Sequence, residues 1–254
     1  MSQSETKFLS IKPVQLGSFS ELIVAQSTRH GGVSPAPFSS LNLGGSTRDT
    51  PENVGENHRI FWESLGVPAE SVAKSHQVHG TEVLQVIEPG RFAGYDALVT
   101  DQKNIILAVT IADCTPILIY DPNRKVVAAI HAGWRGTVAG IVSKTVAVMQ
   151  DHYGSLPADC NAFIGVCIDE CSFEVGQEVA DEFASEFKRF DETINKYFVD
   201  LKLANKAQLT GAGILEENIE VSPLSTVSNN ADFFSYRLEK GQTGRMLAVI
   251  GMRS

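Results

Sequence analysis

Positive charge, cysteine and long apolar runs are all in short supply in this 254-residue chain. Its 21 lysines and arginines face 30 acidic residues, for a net charge of −9, which excludes a nucleic-acid backbone or an anionic membrane as the main partner. A local basic pocket for a small phosphate remains compatible with that balance. The four cysteines, at 114, 160, 167 and 171, are too few for a disulfide framework. The opening MSQSETKFLS has no basic stretch followed by an apolar core, so no secretory signal is expected. Reduced thiols and a cytoplasmic location follow. A bilayer-spanning helix needs about 20 mostly apolar residues. The most apolar stretch, Ile105 to Tyr120, is broken by Thr110, Asp113, Thr115 and Pro116 and reads as two buried strands. Low-complexity tracts, long linkers and repeats are also missing.

What is present is an ordinary globular composition, 43% apolar and 20% charged. Residues 21–27 read as a strand, and 30–48, rich in Gly, Ser and Pro, as a long loop of the kind that is commonly functional. Pro51 to Leu65 reads as a helix, with Thr50 as its cap and Gly66 as its stop. Strands are expected at 72–77, 82–87, 97–100, 105–111, 117–121 and 126–131. Thr137 to Tyr153 carries the clearest helical periodicity, through Val138, Ile141, Val142, Thr145, Val146 and Met149. A strand is expected at 163–168, helices at 177–187 and 194–206, and strands at 220–221 and 247–250. Strands and helices mix without regular alternation, which predicts a single mixed α/β domain.

Three stretches end an apolar run on a metal-competent side chain. SHQVHG offers His76 and His79, TIADCTP offers Cys114, and AIHAGW offers His131. The spacings, 35 and 17 residues from His79 to Cys114 to His131, are not those of a zinc finger. Each ligand instead arrives on a different strand end. Two His and one Cys leave zinc's fourth tetrahedral position open for water or substrate. The same residues also read as a Cys114 nucleophile with a histidine base, Asp113 being a candidate to orient that histidine, or as a copper site lacking an obvious axial ligand. Candidate substrate groups are Asn42 and Arg48 in the long loop, Arg59 on the first helix, and Arg135 beside Trp134. Gly133 and Gly136 are expected to let the chain turn after His131.

The stretches TRHGGVSPAPFSSLNLG, HQVHG, DALVT, TIADCTPILIYDP, HAGWRGTVAGIV, GVCIDECSFEVG and FFSYRLEKGQTGRMLAVIG stand here in one order. Together they resemble the bacterial YfiH-like family over residues 20–251. Its members have been called multicopper polyphenol oxidases or laccase-like proteins and, more recently, purine nucleoside phosphorylases. The resemblance implies one α/β (α+β) domain over 1–254, mixed sheets flanked by helices, similar to the cytotoxic-necrotising-factor catalytic domain. Residues 1–19 would be an N-terminal extension, strand or disordered. It implies zinc on His79, Cys114 and His131, which would also be the catalytic residues, with Asn42 and Arg59 near the pocket; Arg48 is a further candidate for phosphate. The implied activities are phosphorolysis of adenosine, inosine and methylthioadenosine and deamination of adenosine, in a monomer or small homo-oligomer without nucleic acid or membrane. An alternative is amide hydrolysis that removes misincorporated serine from peptidoglycan precursors. Copper polyphenol oxidation fits poorly, because a multicopper enzyme needs many more histidines than six. One stretch departs from the family pattern, reading Gly165-Val166-Cys167-Ile168-Asp169 where Gly-Pro-x-Ile-Gly is usual.

Overall fold

Apolar runs that do not alternate mark strands covered on both faces. The computed structural model, which describes residues 9–254, stacks such strands into two sheets. In chain order the elements begin β1 (Ser10–Ile11), β2 (Leu22–Ser27), α1 (Pro51–Leu65), β3 (Val72–His76), β4 (Val83–Gln85) and β5 (Gly90–Ala93). β6 (Ala97–Thr100), β7 (Ile106–Ile111), β8 (Thr115–Asp121), β9 (Val126–Ala132), α2 (Trp134–Val138) and α3 (Ile141–Tyr153) follow. The chain closes with β10 (Asn161–Ile164), β11 (Glu174–Val175), α4 (Gln177–Ala180), β12 (Lys188–Asp191), β13 (Lys196–Val199), α5 (Leu201–Gly211), β14 (Ile219–Val221) and β15 (Met246–Met252).

One six-stranded sheet runs β1-β2-β15-β7-β3-β5, the other β14-β10-β8-β9-β6-β4, and β11-β13-β12 form a small third sheet. Leu22, Val24, Leu107 and Ile250 of the first sheet pack on Leu118, Tyr120, Val127 and Ala129 of the second. Alternate residues of the same strands face outward. Phe61 and Trp62 of α1 cover Ile106, Ala108 and Val249. Ile141, Val142, Val146 and Met149 of α3, with Leu209 of α5, cover Ile117, Ile119, Ala128 and Ile130. The layers are therefore helix, sheet, sheet, helix. Among the described residues no helix is long and apolar enough to cross a membrane.

The first helix falls as expected: the Thr50 hydroxyl accepts from the Asn53 amide, and Gly66 ends the helix at φ 65°. Three expectations change. The helix read over 137–153 starts at Trp134 and breaks at Gly140, where φ is 79° and only glycine is at ease. The segment 177–187 keeps one helical turn, Gln177–Ala180. In 194–206 the β-formers Tyr197, Phe198 and Val199 make β13, and α5 starts only after Asp200, whose carboxylate accepts from the Leu203 amide. The expected N-terminal extension is described only in part. Residues 1–8 lie outside the described residues, Ser10–Ile11 pairs with β2, and Leu16 is buried in a single 3₁₀ turn.

Candidate metal centre

Strand register brings two of the candidate donors together. β8 and β9 are antiparallel, with Thr115 opposite Ala132 and Pro116 opposite His131. Cys114, one residue before β8, therefore emerges beside the end of β9. His131 shares the parity of Val127 and Ala129, so it points between the two sheets, where it is 3% exposed. His79 arrives from the loop after β3 with φ 59°, and Asp113, next to Cys114, has φ 81°. Non-glycine residues seldom occupy that region, and here two do so in one small volume.

A residue outside the expected set holds this geometry. Asp96, at the entrance to β6 and 1% exposed, accepts the amides of Val78 (3.0 Å), His79 (3.0 Å) and Gly80 (2.9 Å). Its Oδ1 also meets His131 Nδ1 at 2.8 Å. Burial alone would raise its pKa, but hydrogen bonds from His131, Gly80 and Val78 hold it below the usual carboxylate value. The ionised carboxylate only accepts, so His131 donates through Nδ1 and keeps Nε2 for the cluster. The only signal in the sequence is an aspartate directly before the apolar run ALVT. Asp113 bonds no histidine; it accepts from the Thr226 hydroxyl and the Arg237 amide, tying the Cys114 turn to the C-terminal loop. Gly133 also has a different role from the one expected. Its φ of −69° suits any residue, yet a Cβ there would lie 2.8 Å from His79 Cδ2 and 3.3 Å from Cys114 Sγ. Space requires the glycine, not the turn.

The donor atoms of His79, Cys114 and His131 all lie within 4.8 Å of one another. Cys114 Sγ is 3.8 Å from His79 Nε2, and the two rings meet edge to face at 4.9 Å. Tetrahedral zinc, with bonds of about 2.3 Å to sulfur and about 2.0 Å to nitrogen, sets that separation at about 3.5 Å. Burial opposes charge on Cys114, but His131 and then His79 outweigh it and bring the thiol down to about 6. Burial likewise opposes charge on His131, and the Cys114 thiolate with Asp96 raises it to about 9. A thiolate ready to bind a cation thus sits between two imidazoles, and the set fits a divalent metal.

The cluster opens into a cavity of about 780 Å³, lined among others by His76, Phe173, Tyr236, Lys74, Arg91, Arg237 and Arg245. None of the other expected substrate residues lines it. Asn42 is fully buried; its amide group donates to Thr47 and Asp49, and its oxygen accepts the Gly44 and Arg245 amides. Arg48 is exposed on the loop. Arg59 is exposed on α1, ion-paired with Glu56 and Glu63, while the next residue back, His58, faces inward. Trp134 packs against the small third sheet, and Arg135 stacks on it at 4.2 Å, so both brace the turn after His131. Asp169 accepts from the Ser228 hydroxyl and does not line the cavity, although Ile168 does.

The model of the family described as multi-copper polyphenol oxidoreductase laccase matches residues 23–253. A purine nucleoside phosphorylase of Deinococcus radiodurans is 42% identical over 230 residues, covering 90% of this chain and 88% of that protein. Purine nucleoside phosphorylase YlmD of Geobacillus stearothermophilus is 37% identical, covering 92% of both chains. The crystal structure of YlmD from that organism matches with a TM-score of 0.90 at 35% identity, covering 99% of this chain and 98% of the other. Sequence, fold and donor cluster agree that the chain belongs to this laccase-like, YfiH-like family.

Proposed function

We propose that the chain is a cytoplasmic, zinc-dependent purine nucleoside phosphorylase. It would convert adenosine, inosine and methylthioadenosine, with inorganic phosphate, into free base and ribose 1-phosphate, with adenosine deamination as a second activity. One observation carries the reading: a three-donor cluster opens onto a cavity that combines aromatic rings with arginines, in a chain of net charge −9. The relatives named purine nucleoside phosphorylase supply the reaction class.

In phosphorolysis the bond from the anomeric carbon to the purine nitrogen breaks, its electron pair leaving on the base. A phosphate oxygen forms the new bond to that carbon. Arg237 and Arg245 would hold the phosphate on the Cys114 side. Among the described residues the Arg245 guanidinium bonds only the Thr243 and Gly244 carbonyls and lies 5.2 Å over the Tyr236 ring, which leaves donors to spare. Phe173 and Tyr236 offer faces for a purine ring. A zinc ion held by His79, Cys114 and His131 would supply a Lewis acid at the cavity floor. Copper suits the cavity less well, because no methionine among the described residues lines it to serve as a weak axial ligand.

The test is inosine with and without phosphate, followed by chromatography and phosphorus NMR. Hypoxanthine and ribose 1-phosphate should form only when phosphate is present, and Cys114→Ala should lose both metal and turnover. Full activity in chelated protein would sink the proposal. A second reading, amide hydrolysis on a serine-bearing peptidoglycan precursor, is favoured by the low Cys114 pKa between two imidazoles. Serine release without any phosphate requirement would select it.

A further inference from the structure

The α1 side of the cavity carries positive charge that the protein leaves unanswered. Lys74 on β3 and Arg91 on the edge strand β5 are register partners in a parallel ladder. Their side chains therefore leave the same face of the sheet, and both line the cavity. Neither has an ion pair or hydrogen bond with any group among the described residues. Elsewhere several cations do meet a carboxylate: Arg29 meets Glu239, Lys125 meets Glu21, and Lys206 meets Glu216.

A third basic group, His58, lies near the pair without lining the cavity, and it hydrogen-bonds the Leu43 backbone. His58 comes from α1 with its ring stacked on Trp62 at 6.0 Å. Burial, then Lys74 and Arg91, hold it down to about 4. Burial and then Arg91 push half-buried Lys74 down to about 8. Like charges side by side on one face are destabilising, and desolvation adds to the cost for Lys74, while Arg91 is exposed. Among the described residues no carboxylate pairs with either of them, in a chain of net charge −9. The combination of an Arg fork with a Lys point charge is matched by a phosphate-type oxyanion.

We propose that Lys74 and Arg91 form a binding subsite for a phosphate group at the α1 end of the cavity, separate from the metal donors. The subsite stands on its own charges, and the choice of phosphate over carboxylate rests on the phosphorylase reading. This is a second anion site, apart from the reacting phosphate placed on Arg237 and Arg245, and its occupant is either a free phosphate anion or a phosphoryl group carried by a nucleoside. Both present the same chemistry to the pair.

The experiment is calorimetric titration and thermal unfolding of the full chain, wild type, Lys74→Met and Arg91→Gln, with inorganic phosphate, adenosine and adenosine 5′-monophosphate as probes. Each variant should lose about tenfold in affinity for phosphate, the monophosphate or both, the size expected for one charge-assisted contact. Phosphate should also raise the His58 pKa, followed by NMR, in the wild type and less in either variant. Without phosphate, both variants should melt no lower than the wild type, because a like-charge pair has been relieved. Competition by inorganic phosphate assigns the free anion. A monophosphate bound more tightly than adenosine, with the gain lost in Arg91→Gln, assigns a substrate-borne group. Phosphate and monophosphate affinities unchanged in both variants would overturn the proposal. So would an unmoved His58 pKa in wild type saturated with phosphate. Because binding is read directly, absence of ribose 1-phosphate with binding intact would refute the phosphorylase reading alone.

Discussion

Asparagine at Asp96 is the most informative single change at the metal centre. The carboxylate serves four donors with two oxygens: Oδ1 accepts from the His79 amide and His131 Nδ1, and Oδ2 from the Val78 and Gly80 amides. Asparagine keeps one acceptor oxygen and replaces the other with an NH2 donor. Whichever way the amide is turned, two of the four donors then face another donor. Charge-assisted bonds contribute about 1.5–3 kcal/mol each, so losing two costs about 3–6 kcal/mol. Net stabilities run at about 5–15 kcal/mol, so the chain should still fold, with its His79 loop or His131 ring released. Removing a carboxylate that orients a ligand typically lowers metal affinity by about 10–100-fold.

Urea unfolding of chelated protein and a zinc competition titration measure the two effects separately. Asp113→Asn is the comparator, since its oxygens meet Thr226 and Arg237 and no histidine. It should leave zinc affinity close to wild type while loosening the C-terminal loop. If Asp96→Asn binds zinc as tightly as wild type, or the two asparagine variants weaken zinc equally, the argument from Asp96 fails.

Three other outcomes follow from the same structure. Gly133→Ala, whose new methyl would lie 2.8 Å from His79 Cδ2, should cost about tenfold in zinc affinity with under about 1 kcal/mol of stability lost; loss of stability with zinc affinity intact would contradict the steric account. Asn42→Ala, which removes bonds to Thr47, Asp49, Gly44 and the Arg245 amide, should lower stability by about 2–4 kcal/mol in urea, with the nucleoside KM much less affected; a raised KM at unchanged stability would make it a substrate residue. His58 titrates at 6.5 unfolded and about 4 folded, so between those values the unfolded chain binds more protons. Stability should therefore fall by about 3 kcal/mol as pH drops through that window and level off below it, an effect that His58→Gln abolishes in urea midpoints taken on either side.

The sequence carried local signals well and side-chain direction poorly. Thr50, Pro51 and Gly66 bound α1 because caps act within one turn, so that helix was legible at both ends. Continuous apolar runs marked the buried strands, and His131 closes one of them, whereas Cys114 follows the run ending at Ile111 by three residues and His79 lies in the loop after β3. The short strands β5, β12 and β13 were not legible, because Gly90–Ala93 and Lys188–Asp191 draw their order from their neighbours in the sheet rather than from periodicity. Asp96 was hidden for the same reason. Its partners come from a loop 16 to 18 residues before it and a strand 35 residues after it, and no spacing rule reaches that far.

The substrate side shows the limit most sharply. Arg59 attracts notice because a guanidinium suits phosphate, but one residue along a helix is a rotation of about 100°. That rotation sends Arg59 out to Glu56 and Glu63 and turns His58 in toward Lys74 and Arg91. A lysine inside the strand Val72–His76 was the available clue, since a lysine facing a helix-covered side must find an acid or a cavity. Lys74 finds a cavity, with Arg91 beside it. Cationic residues in this fold are therefore better judged by what answers them than by what type they are. The arginine on α1 is answered twice by its own helix, whereas Lys74 and Arg91 are answered by nothing among the described residues, and that difference directs a phosphate group to the β3–β5 edge.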